Sequence, residues 1–277
     1  MALVVIGAQL VDPDGKRLAA FRQEDGQDIW ISDVERDTST RFTVDPGVDN
    51  IPVWSPDGQW IAFSSNRDGG VFNLYRKNAG GTGGDELLLK TAANKRVNDW
   101  SSDGQFLLYE EDSPQTKTDL WMLPLSGDRK PTRLLGTPFA EIGAAVSPDG
   151  KWMAYTSDES GQRQVYVQTF PPTGRKWPVS NSPVTSGPRW RSDGQQLFFA
   201  ARNMLSVVDV LPSPDGAFKA SVTRELFSGL LNIPPHSYDV TDLGRRFLVM
   251  LTTPSAIQGI PPIVVTVNWT SGLPVAR

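Results

Sequence analysis

The chain contains no cysteine. Disulfide bonds and thiolate-held zinc are therefore excluded. Histidine is almost as scarce. His236 is the single one, so any Ser–His–Asp hydrolase arrangement must use it. No Gly-x-Ser-x-Gly elbow is present. The most apolar run near the start, Leu3-Val-Val-Ile6, falls far short of the roughly 20 residues that span a bilayer. No Lys or Arg precedes it, so neither a signal peptide nor membrane insertion is expected of this chain. A basic excess is missing too: 27 Lys and Arg face 31 Asp and Glu, for a net charge of −4. A nucleic-acid partner, which calls for a basic stripe, is not expected.

What the chain does have is a repeated turn. In Trp54-Ser-Pro-Asp-Gly58, Pro56 presets φ for a type I turn, Asp57 follows it and Gly58 ends it. The stretch Trp60–Ser65 then alternates with the period of a strand. The same phrase recurs with turn glycines at 15, 58, 104, 150, 194 and, in a worn copy, 244. A period of about 40–50 residues built from short strands marks propeller blades.

A second phrase holds the register. Asp28-Ile-Trp30, Asn73-Leu-Tyr75, Asp119-Leu-Trp121 and Gln164-Val-Tyr166 each set an aliphatic and an aromatic residue after a polar one. They read as third strands. Fourth strands follow at Arg41–Val44, Glu86–Lys90, Arg133–Leu135, Trp177–Val179 and Glu225–Phe227. Ser213-Pro-Asp-Gly216 falls half a period out of step and reads as the hairpin between strands three and four of the fifth repeat. The expectation is an all-β, six-bladed β-propeller of four-stranded antiparallel blades. It is a single domain over 1–277, with blades at about 1–46, 47–92, 93–137, 138–182, 183–230 and 231–277.

The phrase W-S-P-D-G-x-x-[IL]-A-F followed by D-[IL]-[WY] resembles the PD40, or TolB-type WD40-like, propeller repeat. None of the nine Trp residues is followed by Asp, so the true WD40 signature is absent. The tail from Pro262 to Leu273 is similar to the end of PD40 propellers attached to bacterial serine/threonine kinases. The resemblance implies a bacterial source and a periplasmic or otherwise extracytoplasmic location. It leaves function open, because one fold hosts many functions.

Candidate chemistry gathers at the central channel, which the first strand of each blade lines. Aligning the copies on their turns places Asp49 and Asn50, Lys95 and Arg96, Glu141 and Ile142, Thr185 and Ser186, and Pro235 and His236 at the leading end of those strands. Asn98, Asp99, Arg189, Tyr238 and Asp239 form the next tier. Trp54, Trp100 and Trp190 share one repeat position with Val146 and Val240, a substitution that points to burial between blades. The consecutive acids Glu110, Glu111 and Asp112 read as a solvated hairpin shoulder.

Two function classes follow. The first is a non-catalytic binding or sensing propeller, expected as a monomer without a cofactor. It would dock a protein or small ligand at the channel mouth through Asp49, Asn50, Arg96, Asn98, Asp99, Glu141, Arg189, His236, Tyr238 and Asp239. The second is an enzyme. Propellers resembling gluconolactonases and paraoxonases hold calcium in the channel and hydrolyse lactones or phosphotriesters. In that reading Asn50, Asn98, Asp99, Glu141 and Asp239 are the ligands and His236 the base. Lys95, Arg96 and Arg189 at the same mouth argue against a bound cation.

Overall fold

The repeated turn is built by its serine and aspartate together. In the computed structural model, the Gly58 N–H donates to Ser55 O at 2.9 Å, closing the turn. The Ser55 hydroxyl donates to Asp57 and accepts from the Trp60 N–H at 2.9 Å. Asp57 also accepts from the Gln59 N–H at 3.0 Å. Ser101 with Asp103 and Ser147 with Asp149 repeat this arrangement. Gly58 has φ +67°, a conformation that side chains with a Cβ rarely adopt. In the first repeat Asp12 replaces the serine, and its carboxylate accepts from the Lys16 and Arg17 N–H groups.

The structure describes residues 5–23, 26–201, 204–228, 238–241, 244, 246–249 and 264–267. The first sheet joins β1 (Val5–Val11), β2 (Arg17–Gln23), β3 (Gln27–Asp33) and β4 (Thr38–Arg41). The second joins β5 (Asp49–Trp54), β6 (Trp60–Ser65), β7 (Asn73–Asn78) and β8 (Glu86–Leu89). The third joins β9 (Lys95–Trp100), β10 (Phe106–Ser113), β11 (Lys117–Pro124) and β12 (Thr132–Leu135). The fourth joins β13 (Glu141–Val146), β14 (Trp152–Ser157), β15 (Gln164–Thr169) and β16 (Lys176–Pro178). The fifth joins β17 (Val184–Trp190), β18 (Gln196–Ala201), β19 (Met204–Asp209) and β20 (Arg224–Ser228). A last sheet joins β21 (Tyr238–Thr241), β22 (Arg246–Val249) and β23 (Val264–Val267). Every sheet pairs its strands in chain order, antiparallel throughout.

This corrects the expected blade count. Among the described residues there are five four-stranded blades, not six, and the last repeat supplies a sheet of three strands. Counting turns overcounts blades, because a turn marks only the junction of strands one and two. The fourth-strand phrase, which occurs in five repeats, carried the better count. β1 is the inner strand of the first blade. The Ser213–Gly216 turn lies between β19 and β20, as its half-period offset implied.

In the second, third and fourth blades the third-strand aromatic faces an aromatic on the second strand, whereas Trp30 of the first faces Ala20. Phe63 pairs with Tyr75, Tyr109 with Trp121 and Tyr155 with Tyr166, all directly opposite and stacked. Such cross-strand pairs fix register and stabilise a sheet by roughly 0.2–1 kcal/mol each. The core lies between consecutive sheets. Ala19, Ile29, Trp54, Ile61 and Phe63 fill the first seam, and Phe198, Ala200, Tyr238 and Phe247 fill the one before the last sheet. Burying each large apolar side chain contributes about 1.5–3 kcal/mol.

The inner strands are not regular. Register shifts interrupt the pairing between Asn50 and Val53 in β5, between Ile142 and Ala145 in β13, and between Ser186 and Arg189 in β17. A matching shift leaves Asn98 unpaired between Val97 and Asp99 in β9. A bulge re-aims the side chains beyond it. Here it sets the direction of the last two residues before each turn.

Candidate functional site

The two ends of the inner strands differ in kind. At the leading end the charged side chains are committed to one another. Asp49 is buried and takes a fork from Arg67 Nη2 at 3.0 and 3.1 Å. Burial pushes its carboxyl up, while hydrogen bonds from Ser65 and Thr43 and the Arg67 charge oppose that. Lys95 is buried; its Nζ donates to Ala93 O at 2.6 Å and to Thr91, and sits 3.4 Å from Glu111. Burial lowers its pKa. Arg96 reaches Glu110 at 3.0 Å and also bonds Asp112. Burial works against its charge, but those two carboxylates more than offset it and hold the guanidinium above its ordinary value.

Glu141 is buried against the Thr137 hydroxyl, and burial raises its pKa. Asn50 Oδ1 is shielded from solvent and has no hydrogen-bond partner among the described residues. His236 lies outside the described residues. Glu110 is no solvated shoulder. It is buried, accepts from Asn98 Nδ2 at 2.9 Å and from the Gly143 N–H at 2.8 Å, and so stitches the third blade to the fourth.

At the trailing end, where the strands run into the repeated turns, a cavity of 240 Å³ opens. Its walls come from the inner strands of all five blades and the last sheet, which places it on the channel axis. Trp54, Trp100 and Trp190 line it, and Pro13, Pro56 and Pro148 form a rim. Trp54 and Trp100 are 6% and 7% exposed, so they are core residues that also line the cavity. Trp190 donates its ring N–H to Ala145 O at 3.0 Å.

Three charged residues of one repeat position meet in that cavity: Asp99, Arg189 and Asp239. Asp99 accepts from the N–H of Trp100 and from the N–H of Val146 on the next blade, both at 2.9 Å. Asp239 does the same with Val240 at 2.8 Å and with Val11 at 2.9 Å. Burial pushes the Asp99 carboxyl up to about 6, against the pull of the Val146 N–H and the Arg189 charge. Burial raises Asp239 as well, again opposed by Arg189. Arg189 Nη1 donates to Pro188 O at 3.3 Å. Tyr238 is buried, and its hydroxyl lies 2.8 Å from Gly187 O and 3.0 Å from Phe198 O, a seam role that also raises its pKa through burial.

The structure thus brings Asp99, Arg189, Asp239 and Asn98 together at the cavity, and holds Asp49, Arg96 and Glu141 in bonds at the other end. Among the described residues no group of three His, Asp or Glu side chains is placed to hold a metal ion. Of the five calcium-ligand candidates, Asn98 is spent on Glu110 and the Ala144 N–H, and Glu141 on Thr137. The rim prolines escaped the sequence search. Their signal was the Pro of the turn phrases that end at Gly15, Gly58 and Gly150, which was read only as a turn former.

Residues 4–120 match the family model described as the TolB beta propeller domain, PD40. The chain is 25% identical, over 60% of its length, to the uncharacterized peptidase YuxL of Bacillus subtilis. It is 32% identical, over 31% of its length, to the Tol-Pal system protein TolB of Helicobacter pylori. It spans only 32% and 21% of those two relatives. Among solved structures, a TolB candidate from Agrobacterium tumefaciens superposes with a TM-score of 0.66 at 20% identity, over 83% of this chain and 85% of that one. No helix of the described residues is long and apolar enough to cross a membrane. Residues 4–120 thus match PD40 TolB-type propeller repeats, and beyond them the likeness to the solved TolB structure is one of fold.

Proposed function

We propose that this chain is a non-catalytic binding or sensing propeller that docks a protein partner or a small ligand at its central channel. The observation that carries this reading is the division of labour along the inner strands. Acids and bases at the leading end are used up in fixed bonds. The trailing end instead presents a cavity with polar and aromatic walls. A pocket lined by apolar and aromatic groups with a few convergent polar ones is the form a recognition site takes. The Tol-Pal relative supports a protein partner and an extracytoplasmic location. The similarity to a peptidase covers a minor part of that relative and supports no catalytic assignment here.

The test is site-specific photocross-linking. A photoreactive residue at Ser102, exposed on the cavity rim, is expected to give an adduct of one discrete mass with a cellular partner. The same residue at Val222, 83% exposed on the outer hairpin, is expected to give none. The purified chain should turn over no lactone, phosphotriester or peptide, with or without added calcium. Metal-dependent hydrolysis that disappears with a chelator and with Glu141→Gln would overturn the reading in favour of an enzyme.

A further inference from the structure

We infer that the channel cavity is a receptor for a single organic cation, an alkylammonium or alkylguanidinium group, held by Asp99 and Asp239 with its apolar stem beside Trp54, Trp100 and Trp190. The inference rests on the reading of the channel as a binding site and specifies what enters it. Charge comes first. Two carboxylates and one guanidinium share the tier, so when ionised they sum to one net negative charge. Arg189 acts on both carboxylates through its field, yet forms an ion pair with neither among the described residues. A monocation neutralises the tier. A divalent ion would overshoot it and face Arg189 directly.

Acceptor capacity points the same way. An ionised carboxylate offers about four lone-pair sites. Each of these two aspartates uses one oxygen for the N–H of the residue after it and the other for the N–H of an adjoining sheet. About two acceptor sites on each are left over, and both side chains line the cavity. The backbone bonds also hold the carboxylates rigidly, so little ordering is needed when a donor arrives. The surroundings suit a cation on an apolar stem. Trp54, Trp100 and Trp190 supply apolar walls against which such a stem can pack. Val53 and Ala145 complete the apolar part. Size fits too: 240 Å³ is below the roughly 300–1,000 Å³ of drug-sized pockets, and suits one side chain or one small amine.

The experiment titrates the intact chain with n-butylammonium, n-butylguanidinium, 1-butanol and butyrate, read by tryptophan fluorescence and by calorimetry. Both cations should bind saturably and at least tenfold more tightly than butanol or butyrate. Binding should weaken at least tenfold from pH 7.5 to pH 5, because Asp99 gains a proton in that interval. Ala145→Lys, which tethers an ammonium in the same tier, should abolish binding of the free cations. Equal binding of butanol and butylammonium overturns the inference, and does so with the wild-type chain, whether or not that variant folds. A folded Ala145→Lys chain that binds cations undiminished also overturns it. Acetyl-Ala-Lys-Ala-amide then separates the sources. Binding tenfold tighter than butylammonium assigns the cation to a protein partner, and weaker binding assigns it to a free small molecule. Loss of cation binding with the Ser102 cross-link intact sinks this inference alone, whereas loss of both sinks the binding reading beneath it.

Discussion

Asp239 accepts a 2.9 Å hydrogen bond from the backbone N–H of Val11 and so ties the last sheet to the first blade. Asp99 ties the third blade to the fourth in the same way through Val146. The two aspartates occupy one repeat position, so the seam between the two ends of the chain repeats an internal seam. Asp239→Ala removes the acceptor for two N–H groups. An unsatisfied buried donor costs about 1–3 kcal/mol. Urea unfolding should show a loss of that size for Asp239→Ala, and a similar loss for Asp99→Ala. A neutral Asp239→Ala beside a costly Asp99→Ala would show that the Val11 seam contributes nothing to stability.

Asp99 also makes stability depend on pH. Burial raises its folded pKa to about 6 from an ordinary value of 3.8, with the Val146 N–H and Arg189 pulling the other way and Asp239 adding to it. Between about pH 4 and 6 the folded chain therefore holds a proton that the unfolded chain has released. Stability from this group falls as pH rises through that window. Relative to Asp99→Asn, the wild-type chain should lose stability from pH 4 to pH 6 and run parallel to it above pH 7. Chemical unfolding at a series of pH values checks this. A constant difference across the window would mean that the carboxyl is not perturbed.

How much of this was legible depended on the range of each signal. The turn phrase and the opposed aromatics are local and recur, so strands one to three of each blade could be read directly. The tier holding Asp99, Arg189 and Asp239 could be aligned because the turns gave a fixed origin. What the alignment lacked was the bulge. Period-two alternation carried through Asn50–Val53 and Ile142–Ala145 gives the wrong facing for the residues beyond the shift. The blade count failed for a different reason, since a turn phrase reports two strands and not four. Pairings such as Arg67 with Asp85, or Glu110 with the Gly143 N–H, join residues with no periodic relation. Nothing in a single sequence marks them.

Arg67 is the clearest of these. Its guanidinium binds Asp49 and Asp85, its Nε donates to Ser65 at 2.8 Å, and it lies 4.6 Å from the Tyr75 ring centroid. Asp49 itself is fully buried. Arg67→Ala would strand that carboxylate without its counter-charge, a change that typically costs about 3–5 kcal/mol. Arg67→Lys keeps the charge but loses the planar fork and the stacking on Tyr75. The expected order of urea midpoints is wild type, then Arg67→Lys, then Arg67→Ala. Asp49→Asn combined with Arg67→Ala should cost less than the sum of the two single changes, because the pair is coupled. Strict additivity would mean that the contact carries no interaction energy.

Gly143 joins two constraints, a left-handed backbone and a close approach to a neighbouring backbone. Its φ is +64°, and a Cβ built on it would lie 3.2 Å from the Gly187 Cα on the neighbouring inner strand. Gly150 has φ +71° but nothing within 4 Å of such a Cβ, so alanine there meets backbone strain alone. At Gly187 a Cβ would meet Gly143 O at 3.1 Å and its Cα at 3.2 Å. Alanine there reports the crowding between the fourth and fifth blades. Strain of this kind costs of order 1–3 kcal/mol, and forcing extra carbon into a packed seam costs about as much. Thermal and urea unfolding should therefore rank Gly143→Ala as the most damaging, with a loss near the sum of those at Gly150 and Gly187. A Gly143→Ala loss no larger than that of Gly150→Ala would show that the two inner strands can part without cost, and that their close approach does not hold the blades together.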